Sequence, residues 1–210
     1  MKEKCFGMLV GVLLLCSTLA WAQSPSGVKW ELVKEGKGIQ VYTAPVPNSG
    51  RKYIKVTAAL SGSLSRVQAV FRDIPKQKQW VYATKQAYLL QKTDDNHLLY
   101  YNETALPWPA SNRDVPIRMA LAEDPARHAL TITQDGDADA APTHKGIVRV
   151  PHFSGHWTFR ESGKGQLQVE YYLDIDPGGS LPNWVVNMFI AKGPYETLVK
   201  LRELVSSQGQ

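Results

Sequence analysis

The sequence predicts an α+β fold in which a curved antiparallel β-sheet wraps around one long C-terminal helix. Three observations predict it. The predicted elements run in the order strands, short helices, many strands and one terminal helix. The later strands alternate apolar and polar residues, as a sheet with one covered face does. The terminal segment is apolar over much of its helical circumference, so it has to be packed on several sides.

The composition indicates one folded domain. The 210 residues include 43% apolar and 20% charged residues, which excludes a globally disordered chain. The 24 Lys and Arg residues are interleaved with 19 Asp and Glu residues, and the net charge is +5. We therefore expect no dedicated nucleic-acid surface and no nucleic-acid partner.

The N-terminus has the pattern of a secretory signal peptide. Two lysines precede an apolar stretch at 5–19, and an Ala-x-Ala cleavage signal ends at Ala22. A retained membrane anchor is the alternative, but a span needs about 20 apolar residues. We expect cleavage near Ala22, which removes 1–22 and both cysteines and leaves 23–210 as one domain in the periplasm or outside the cell.

The first elements are a strand pair and two helical segments. Strands at 38–46 and 52–60 are joined by a turn rich in Pro, Asn and Gly. Ser63 is a candidate N-cap for an amphipathic helix at 64–74, whose apolar residues recur every three or four positions. Pro75 ends this helix, and 76–83 is expected to form a short second helical turn.

A strand-rich stretch comes next, with predicted strands at 85–92, 96–106, 114–122, 129–134, 146–159 and 166–176. The alternation is clearest in the last strand, where Val169, Tyr171, Leu173 and Ile175 share one face. In the strand that begins at Asp114, Val115, Ile117, Met119 and Leu121 share a face in the same way.

The terminal helix is predicted at 182–205, with Pro182 in its first turn. Gly193-Pro194 lies inside it, and we expect a kink near 190–192 because Pro194 removes one backbone hydrogen bond. Its apolar residues include Trp184, Val185, Val186, Met188, Phe189 and Ile190.

Three ordered segments carry a family resemblance. They are 106–114 (LPWPASNRD), 145–150 (KGIVRV) and 176–184 (DPGGSLPNW). They resemble the signature segments of START lipid-transfer domains, the family that includes phosphatidylcholine transfer proteins. The resemblance covers about 30–205, and it implies a helix-grip fold that holds one lipid in a tunnel beneath the C-terminal helix.

The function that the resemblance implies is non-catalytic transport of a single lipid ligand by a monomer that docks transiently on a membrane surface, without a cofactor. Two other hypotheses stay open. One is an enzyme similar to polyketide cyclases and aromatases, with Tyr100, Tyr171 and a buried arginine as proton donors or oxyanion partners. The other is a scaffold that binds a protein partner.

Strand parity predicts which side chains face the tunnel. Tyr100 and Asn102 point inward, whereas Tyr101 and Glu103 lie outside. The resemblance implies headgroup contacts at Asn102 and Tyr171. The candidate lipid-binding residues are Tyr100, Asn102, Arg118, Met119, Arg149, Trp157, Tyr171, Trp184, Met188 and Phe189.

The sequence does not decide which arginine faces the tunnel. The resemblance implies a buried arginine shortly after the pair Arg113 and Asp114, which are themselves expected to pair or cap structurally. Simple alternation points Met119 inward and Arg118 outward, so only a bulge at Pro116 would bring Arg118 in. Arg149 is the alternative.

Trp108 lies between two prolines, and the resemblance implies that this loop gates the tunnel and touches membrane. A loop anchor in the core is the alternative. Gly178-Gly179 and Gly193-Pro194 are candidate hinges. His152 and His156 would lie about 13 Å apart on a strand and could not share a metal ion, so we predict no metal site. Ser154 near His156 has no acidic partner that the sequence defines, so we predict no catalytic site.

Overall fold

The computed structural model describes residues 28–206, so the predicted signal peptide lies outside the described residues. The strands are β1 (Glu31–Gly36), β2 (Ile39–Pro45), β3 (Lys52–Ser61), β4 (Thr84–Lys92), β5 (His97–Thr104), β6 (Asn112–Asp124), β7 (Ala129–Gly136), β8 (Ile147–Arg149), β9 (His152–Gly163) and β10 (Gln166–Asp176). They form one sheet in the order β1-β2-β3-β10-β9-β7-β6-β5-β4, and β8 pairs in parallel with β6. Every other pairing is antiparallel.

The helices are α1 (Leu64–Arg72), α2 (Gln77–Trp80), α3 (Asn183–Asn187) and α4 (Gly193–Ser206). Ile74–Lys76 and Pro125–Arg127 form 3₁₀ turns, and Met188–Lys192 is a π-helical turn between α3 and α4. We call the continuous segment 183–206 the C-terminal helix. This architecture confirms the α+β fold predicted from the sequence, and no helix within 28–206 has the length and apolarity needed to span a bilayer.

Helix α1 begins and packs as its sequence predicts. The Ser63 hydroxyl accepts a hydrogen bond from the Arg66 amide at 3.2 Å, which caps the first turn. Phe71 on the apolar face lies edge-on to the rings of Trp157 and Phe159, at centroid distances of 5.3 and 5.9 Å. Helix α1 thus covers part of the sheet.

Two elements differ from the prediction. Strand β1 was not predicted, because its largely exposed residues show no apolar alternation. The single strand predicted at 146–159 is wrong, since the chain forms two strands, β8 and β9, separated by Pro151. Proline has no N–H to donate to a sheet ladder, and it marks the place where the chain leaves β6 and joins β7.

The C-terminal helix is disrupted where the sequence predicts it. The π-helical turn Met188–Lys192 ends immediately before Gly193-Pro194. A wider turn accommodates a proline that cannot donate a hydrogen bond to the preceding turn. Gly193 also lies close to Tyr82, because a Cβ atom placed on it would be 3.3 Å from Tyr82 Cδ1.

Candidate functional site

A cavity of about 350 Å³ lies between the inner face of the sheet and the C-terminal helix. Its volume is at the lower end of the roughly 300–1,000 Å³ that small-molecule sites occupy. Most of the lining is apolar, and it includes Ile54, Val115, Ile117, Phe153, Leu173, Ile175, Leu181, Val186, Phe189 and Ile190. The side chains therefore do not fill the space beneath the helix.

A chain of neutral hydrogen bonds runs along the cavity wall. Trp157 Nε1 donates to Gln134 Oε1 at 2.9 Å, and Gln134 Nε2 donates to the Tyr100 hydroxyl at 2.8 Å. All three residues line the cavity. Burial raises the pKa of Tyr100 and of Tyr171, so both phenols are uncharged at neutral pH.

Two buried donors in the lining have no partner. Trp80 is 1% exposed and Gln77 is 2% exposed, and both line the cavity. The Gln77 amide lies beside the Tyr100 hydroxyl, but neither Gln77 Nε2 nor Trp80 Nε1 makes a well-formed hydrogen bond with any described residue. Such groups are rare in folded proteins, because leaving them unpaired costs free energy. The sequence prediction missed both residues, which lie on the short helix α2.

Four of the ten candidate lipid-binding residues face the cavity from the sheet. These are Tyr100, Asn102, Trp157 and Tyr171, and their inward orientation agrees with strand parity. Asn102 Nδ2 donates to Thr84 Oγ1 at 3.3 Å, and Asn102 Oδ1 accepts from Thr104 Oγ1 at 3.3 Å. The ring of Tyr171 stacks on Trp157 at a centroid distance of 3.7 Å. Contact of these residues with a lipid stays a prediction.

The buried cation in the cavity lining is Arg113, whereas Arg51 and Lys52, which also belong to the lining, are half-buried and exposed. Its Nε donates to the Pro177 carbonyl, Nη1 to the Ser111 carbonyl and Nη2 to the Gly178 carbonyl, at 3.1, 2.6 and 2.9 Å. Burial lowers the pKa of Arg113. Alternation back from Val115 would have placed Arg113 inward. It does not pair with Asp114, which lies on the opposite face of β6.

The expectation that Arg118 or Arg149 faces the cavity is wrong for both. The Arg118 side chain is 63% exposed and pairs with Asp137, because β5 and β6 stay in register through Pro116 and no bulge turns it inward. The Arg149 side chain is 11% exposed and lies on the outer face of the sheet, where its Nε donates to Asp114 Oδ1 at 2.8 Å. Neither side chain belongs to the cavity lining.

Three apolar candidates also lie away from the cavity lining. Met119 is buried beside Gln134, with its sulfur 3.9 Å from Gln134 Nε2. Met188 is half-buried and Trp184 is 53% exposed. Residues on a helix are about 100° apart, so the helix turns Trp184 outward while Val186 and Phe189 line the cavity.

The outer face of the sheet is covered at β5 and β6. Tyr101 and Glu103 were expected to lie outside, but they are 0% and 1% exposed. The Tyr101 hydroxyl donates to Asp114 Oδ2 at 2.9 Å, and Glu103 accepts hydrogen bonds from Lys85, Gln86 and Asn112. We call Tyr101, Glu103, Asp114 and Arg149 the outer polar layer.

The loop 137–146 covers part of this layer. Arg149 donates to the carbonyl oxygens of Ala138, Ala141 and Pro142, and the His144 ring lies edge-on to Tyr101 at 5.5 Å. Burial raises the pKa of Asp114, but hydrogen bonds from Arg149 and Tyr101 outweigh it and lower the pKa. The layer is therefore charged and internally paired.

The Trp108 side chain is 90% exposed, so it is not an anchor in the core. Its loop is tied to the segment before the C-terminal helix, because Arg113 bonds the carbonyls of both Ser111 and Gly178. Gly178 and Gly179 have φ values of +66° and +62°, a conformation that glycine adopts readily. No group of His, Cys, Asp and Glu within 28–206 is arranged to hold a metal ion.

Comparison with known proteins identifies the family. The START domain family model matches residues 21–210. This chain belongs to the START domain family. The resemblance read from the sequence segments is thus confirmed.

Individual relatives of this START domain extend over most of the chain. It is 29% identical over 196 residues to an uncharacterized protein of Pseudomonas aeruginosa, covering 93% of this chain and 96% of that protein. It is 31% identical over 172 residues to the phosphatidylcholine transfer protein of Mus musculus, covering 80% and 79%. The crystal structure of a STAR-related lipid transfer protein from Xanthomonas axonopodis superposes with a TM-score of 0.77 at 30% identity, covering 85% of this chain and 99% of that one.

Proposed function

We propose that this START domain binds one lipid in the cavity beneath its C-terminal helix and carries it, chemically unchanged, between membranes. The observation that carries the proposal is the unfilled apolar cavity of about 350 Å³. Two relatives that cover most of the chain are named as transfer proteins for phosphatidylcholine and for lipids.

The energetics of lipid transport suit such a cavity. Exposing a hydrocarbon chain to water costs about 0.8 kcal/mol per CH₂ group. A carrier offsets this cost by offering an apolar lining of comparable quality. The inner faces of β3, β6 and β10 and the C-terminal helix supply that lining.

The chemistry of the lining favours a carrier over a cyclase-like enzyme. Among the described residues that line the cavity, none is His, Asp or Glu. The raised pKa values of Tyr100 and Tyr171 keep both phenols protonated near neutral pH. A general base poised near pH 7 is therefore missing from this part of the chain.

The exposed tryptophans supply a membrane contact in this proposal. Trp108 is two residues from Leu106, and Trp184 is three residues from Leu181, and both leucines line the cavity. Trp108 and Trp184 are 90% and 53% exposed, and tryptophan favours the membrane interface. Docking through these side chains would place the cavity mouth at the bilayer surface.

The remaining parts of the proposal concern location and assembly. The N-terminal sequence has a basic head, an apolar stretch and a cleavage signal, which supports export to the periplasm or the cell exterior. We propose that the mature protein acts there as a monomer. N-terminal sequencing of the exported protein tests cleavage after Ala22, and sedimentation tests the monomer.

The decisive experiment has two measurements on the full chain purified after export. Organic extraction and mass spectrometry should find one amphiphile per protein molecule. Transfer of labelled lipid between donor and acceptor liposomes should depend on protein concentration. The proposal is wrong if no stoichiometric amphiphile is found and no transfer occurs.

Membrane docking has a separate test. Trp108→Ala should slow liposome transfer several-fold and leave lipid affinity in solution unchanged, because the side chain lies outside the cavity lining. Leu32→Ala is the matched control, since Leu32 is also an exposed apolar residue, on edge strand β1. Equal transfer by both variants would contradict docking through Trp108.

A further inference from the structure

The polar groups of the cavity indicate which headgroup it accepts, and this inference rests on the proposed function. Gln77 Nε2 and Trp80 Nε1 are buried N–H donors without a partner among the described residues, and both side chains line the cavity. A bound oxygen atom that accepts hydrogen bonds would satisfy them. A headgroup without an acceptor would leave both donors unpaired.

The charges near the cavity argue against a cationic head. The charged residues in the lining are Arg51, Lys52 and Arg113, and the described lining contains no carboxylate. Nothing in the lining would therefore compensate a quaternary ammonium group.

The stacked aromatic pair of the lining, Trp157 and Tyr171, does not form a cage for such a cation. Trp157 and Tyr171 stack face to face at 3.7 Å with an interplanar angle of 12°. The facing surfaces of the two rings are covered by each other. A cation needs an open ring face within about 6 Å, so this pair cannot enclose one.

The surroundings of Gln77 and Trp80 argue against an anionic head. The polar groups that continue along the wall from Gln77 are the neutral groups of Tyr100, Gln134 and Trp157. Arg113 already donates to three carbonyl oxygens, Arg51 pairs with Asp174 at 2.8 Å, and Lys52 is exposed to solvent. A carboxylate or phosphate buried in the cavity would find no free buried cation among the described lining residues and would be costly.

We propose that the cavity is selective for an amphiphile whose head is an uncharged hydrogen-bond acceptor, a hydroxyl, ester or amide oxygen, bound by Gln77 and Trp80. These two residues determine specificity by pairing with the oxygen. The hydrocarbon part of the ligand occupies the apolar remainder of the cavity, beneath the C-terminal helix.

The cavity volume selects the probes. A dry cavity of about 150 Å³ holds six-carbon benzene, so 350 Å³ scales to about 14 heavy atoms. Tetradecanol, tetradecanoate and tetradecyltrimethylammonium share one chain and differ in the charge of the head. Each is delivered from cyclodextrin to delipidated full-chain protein, and binding is measured by native mass spectrometry and by quenching of tryptophan fluorescence.

The proposal predicts the order of affinities for the three probes. Tetradecanol should bind at least about tenfold more tightly than either charged probe, since burying an uncompensated charge costs more than one hydrogen bond returns. Equal affinities, or a preference for a charged probe, would overturn the inference while the proposed function survives. Failure of all three probes, together with failure of liposome transfer, would count against both.

Substitutions of Gln77 and Trp80 test whether these two donors cause the preference for tetradecanol. Trp80→Phe keeps a ring and removes the N–H group, and Gln77→Leu removes the amide. Each should weaken tetradecanol binding about fivefold, the value of one neutral hydrogen bond. Gln79→Leu is the control for Gln77→Leu, because Gln79 lies on the same short helix and is exposed.

A second readout separates specificity from folding. Tetradecane has the same chain without an oxygen, so its affinity should not fall in either variant if the fold is intact. A parallel loss for tetradecane and tetradecanol, or no loss for tetradecanol, would refute the assignment. Thermal unfolding of each variant without a ligand checks the fold directly.

Discussion

The outer side and the cavity side of strands β5 and β6 differ in how completely the buried polar groups there are paired. Consecutive residues divide between the cavity and the outer polar layer in three pairs: Tyr100 and Tyr101, Asn102 and Glu103, and Arg113 and Asp114. On the outer face, the Asp114 carboxylate accepts hydrogen bonds from both Tyr101 and Arg149. On the cavity side, the strand residues Tyr100, Asn102 and Arg113 are hydrogen-bonded, but Gln77 and Trp80 on α2 carry unpaired donors beside an unfilled volume.

This difference distinguishes polar groups that stabilise the fold from polar groups that are expected to bind a ligand. Polar groups that are buried and fully paired stabilise one arrangement of the loop 137–146 over the sheet. Polar groups that are buried and unpaired destabilise the free protein and are expected where a ligand completes them. Variants on the outer face should therefore change stability, whereas variants on the inner face should change binding.

The largest effect is expected on the outer face. Asp114→Asn removes the fully buried carboxylate that pairs with the largely buried Arg149 guanidinium, which should lower the free energy of unfolding by about 3 kcal/mol. Urea unfolding measures it. Asp137→Asn is the control, because its partner Arg118 is exposed and such pairs contribute about 1 kcal/mol or less. Equal losses in the two variants would contradict a stabilising outer polar layer.

Replacing the adjacent residues Tyr100 and Tyr101 compares the effects of the two sides of β5 on stability and binding. Tyr101→Phe removes a hydrogen bond to a carboxylate and should lower stability by about 2 kcal/mol, without changing tetradecanol affinity. Tyr100→Phe removes the acceptor for Gln134 and should cost about 1 kcal/mol. Urea unfolding and native mass spectrometry measure the two quantities. The comparison fails if Tyr101→Phe weakens binding more than Tyr100→Phe does.

A larger side chain in the cavity lining should lower the affinity for the ligand. Leu173→Trp places a larger ring in the lining and should weaken tetradecanol binding about tenfold, because the ligand and the new ring compete for the same volume. Tyr172→Trp is the control on the opposite face of β10. Unchanged affinity in Leu173→Trp would mean that the ligand binds elsewhere.

Lowering the pH should reduce the stability that the carboxylates of the outer polar layer provide, by less than the substitutions above. Burial raises the pKa values of Asp114 and Glu103, but hydrogen bonds from Arg149 and Tyr101, and from Asn112, Lys85 and Gln86, lower both. A carboxyl group whose folded pKa is depressed stabilises the protein above its unfolded pKa of about 4, and that contribution is lost as the pH falls through the folded pKa.

Urea unfolding from about pH 6 to about pH 3 measures this decline. Asp114→Asn should show a shallower decline than the unsubstituted protein, because it lacks one of the two carboxyl groups. Parallel declines would mean that Asp114 does not contribute to the pH dependence.

Local patterns in the sequence were sufficient for most of the fold. Ser63 and the apolar spacing after it predicted α1, and alternation placed Tyr100, Asn102 and Tyr171 on the inner face. Gly193-Pro194 located the break in the C-terminal helix. These signals are local because helix capping, strand alternation and proline geometry each depend on residues close together in the chain.

The predictions that were wrong concern contacts between segments that are distant in the sequence. Alternation assigns a residue to a face of the sheet but does not say what covers that face, so Tyr101 and Glu103 were expected in solvent. Arg149 was expected in the cavity, yet it pairs with Asp114 across 35 positions of the chain.

By itself, the sequence determined the fold class, the family and the side of the sheet on which most residues lie, because these follow from short-range spacing and from ordered segments. The tertiary structure alone decided that the space under the C-terminal helix is unfilled, that Arg113 is its inner arginine, and that Gln77 and Trp80 lack partners. A void and an unpaired donor are both defined by what neighbouring segments fail to supply, and that is settled only when the chain has packed.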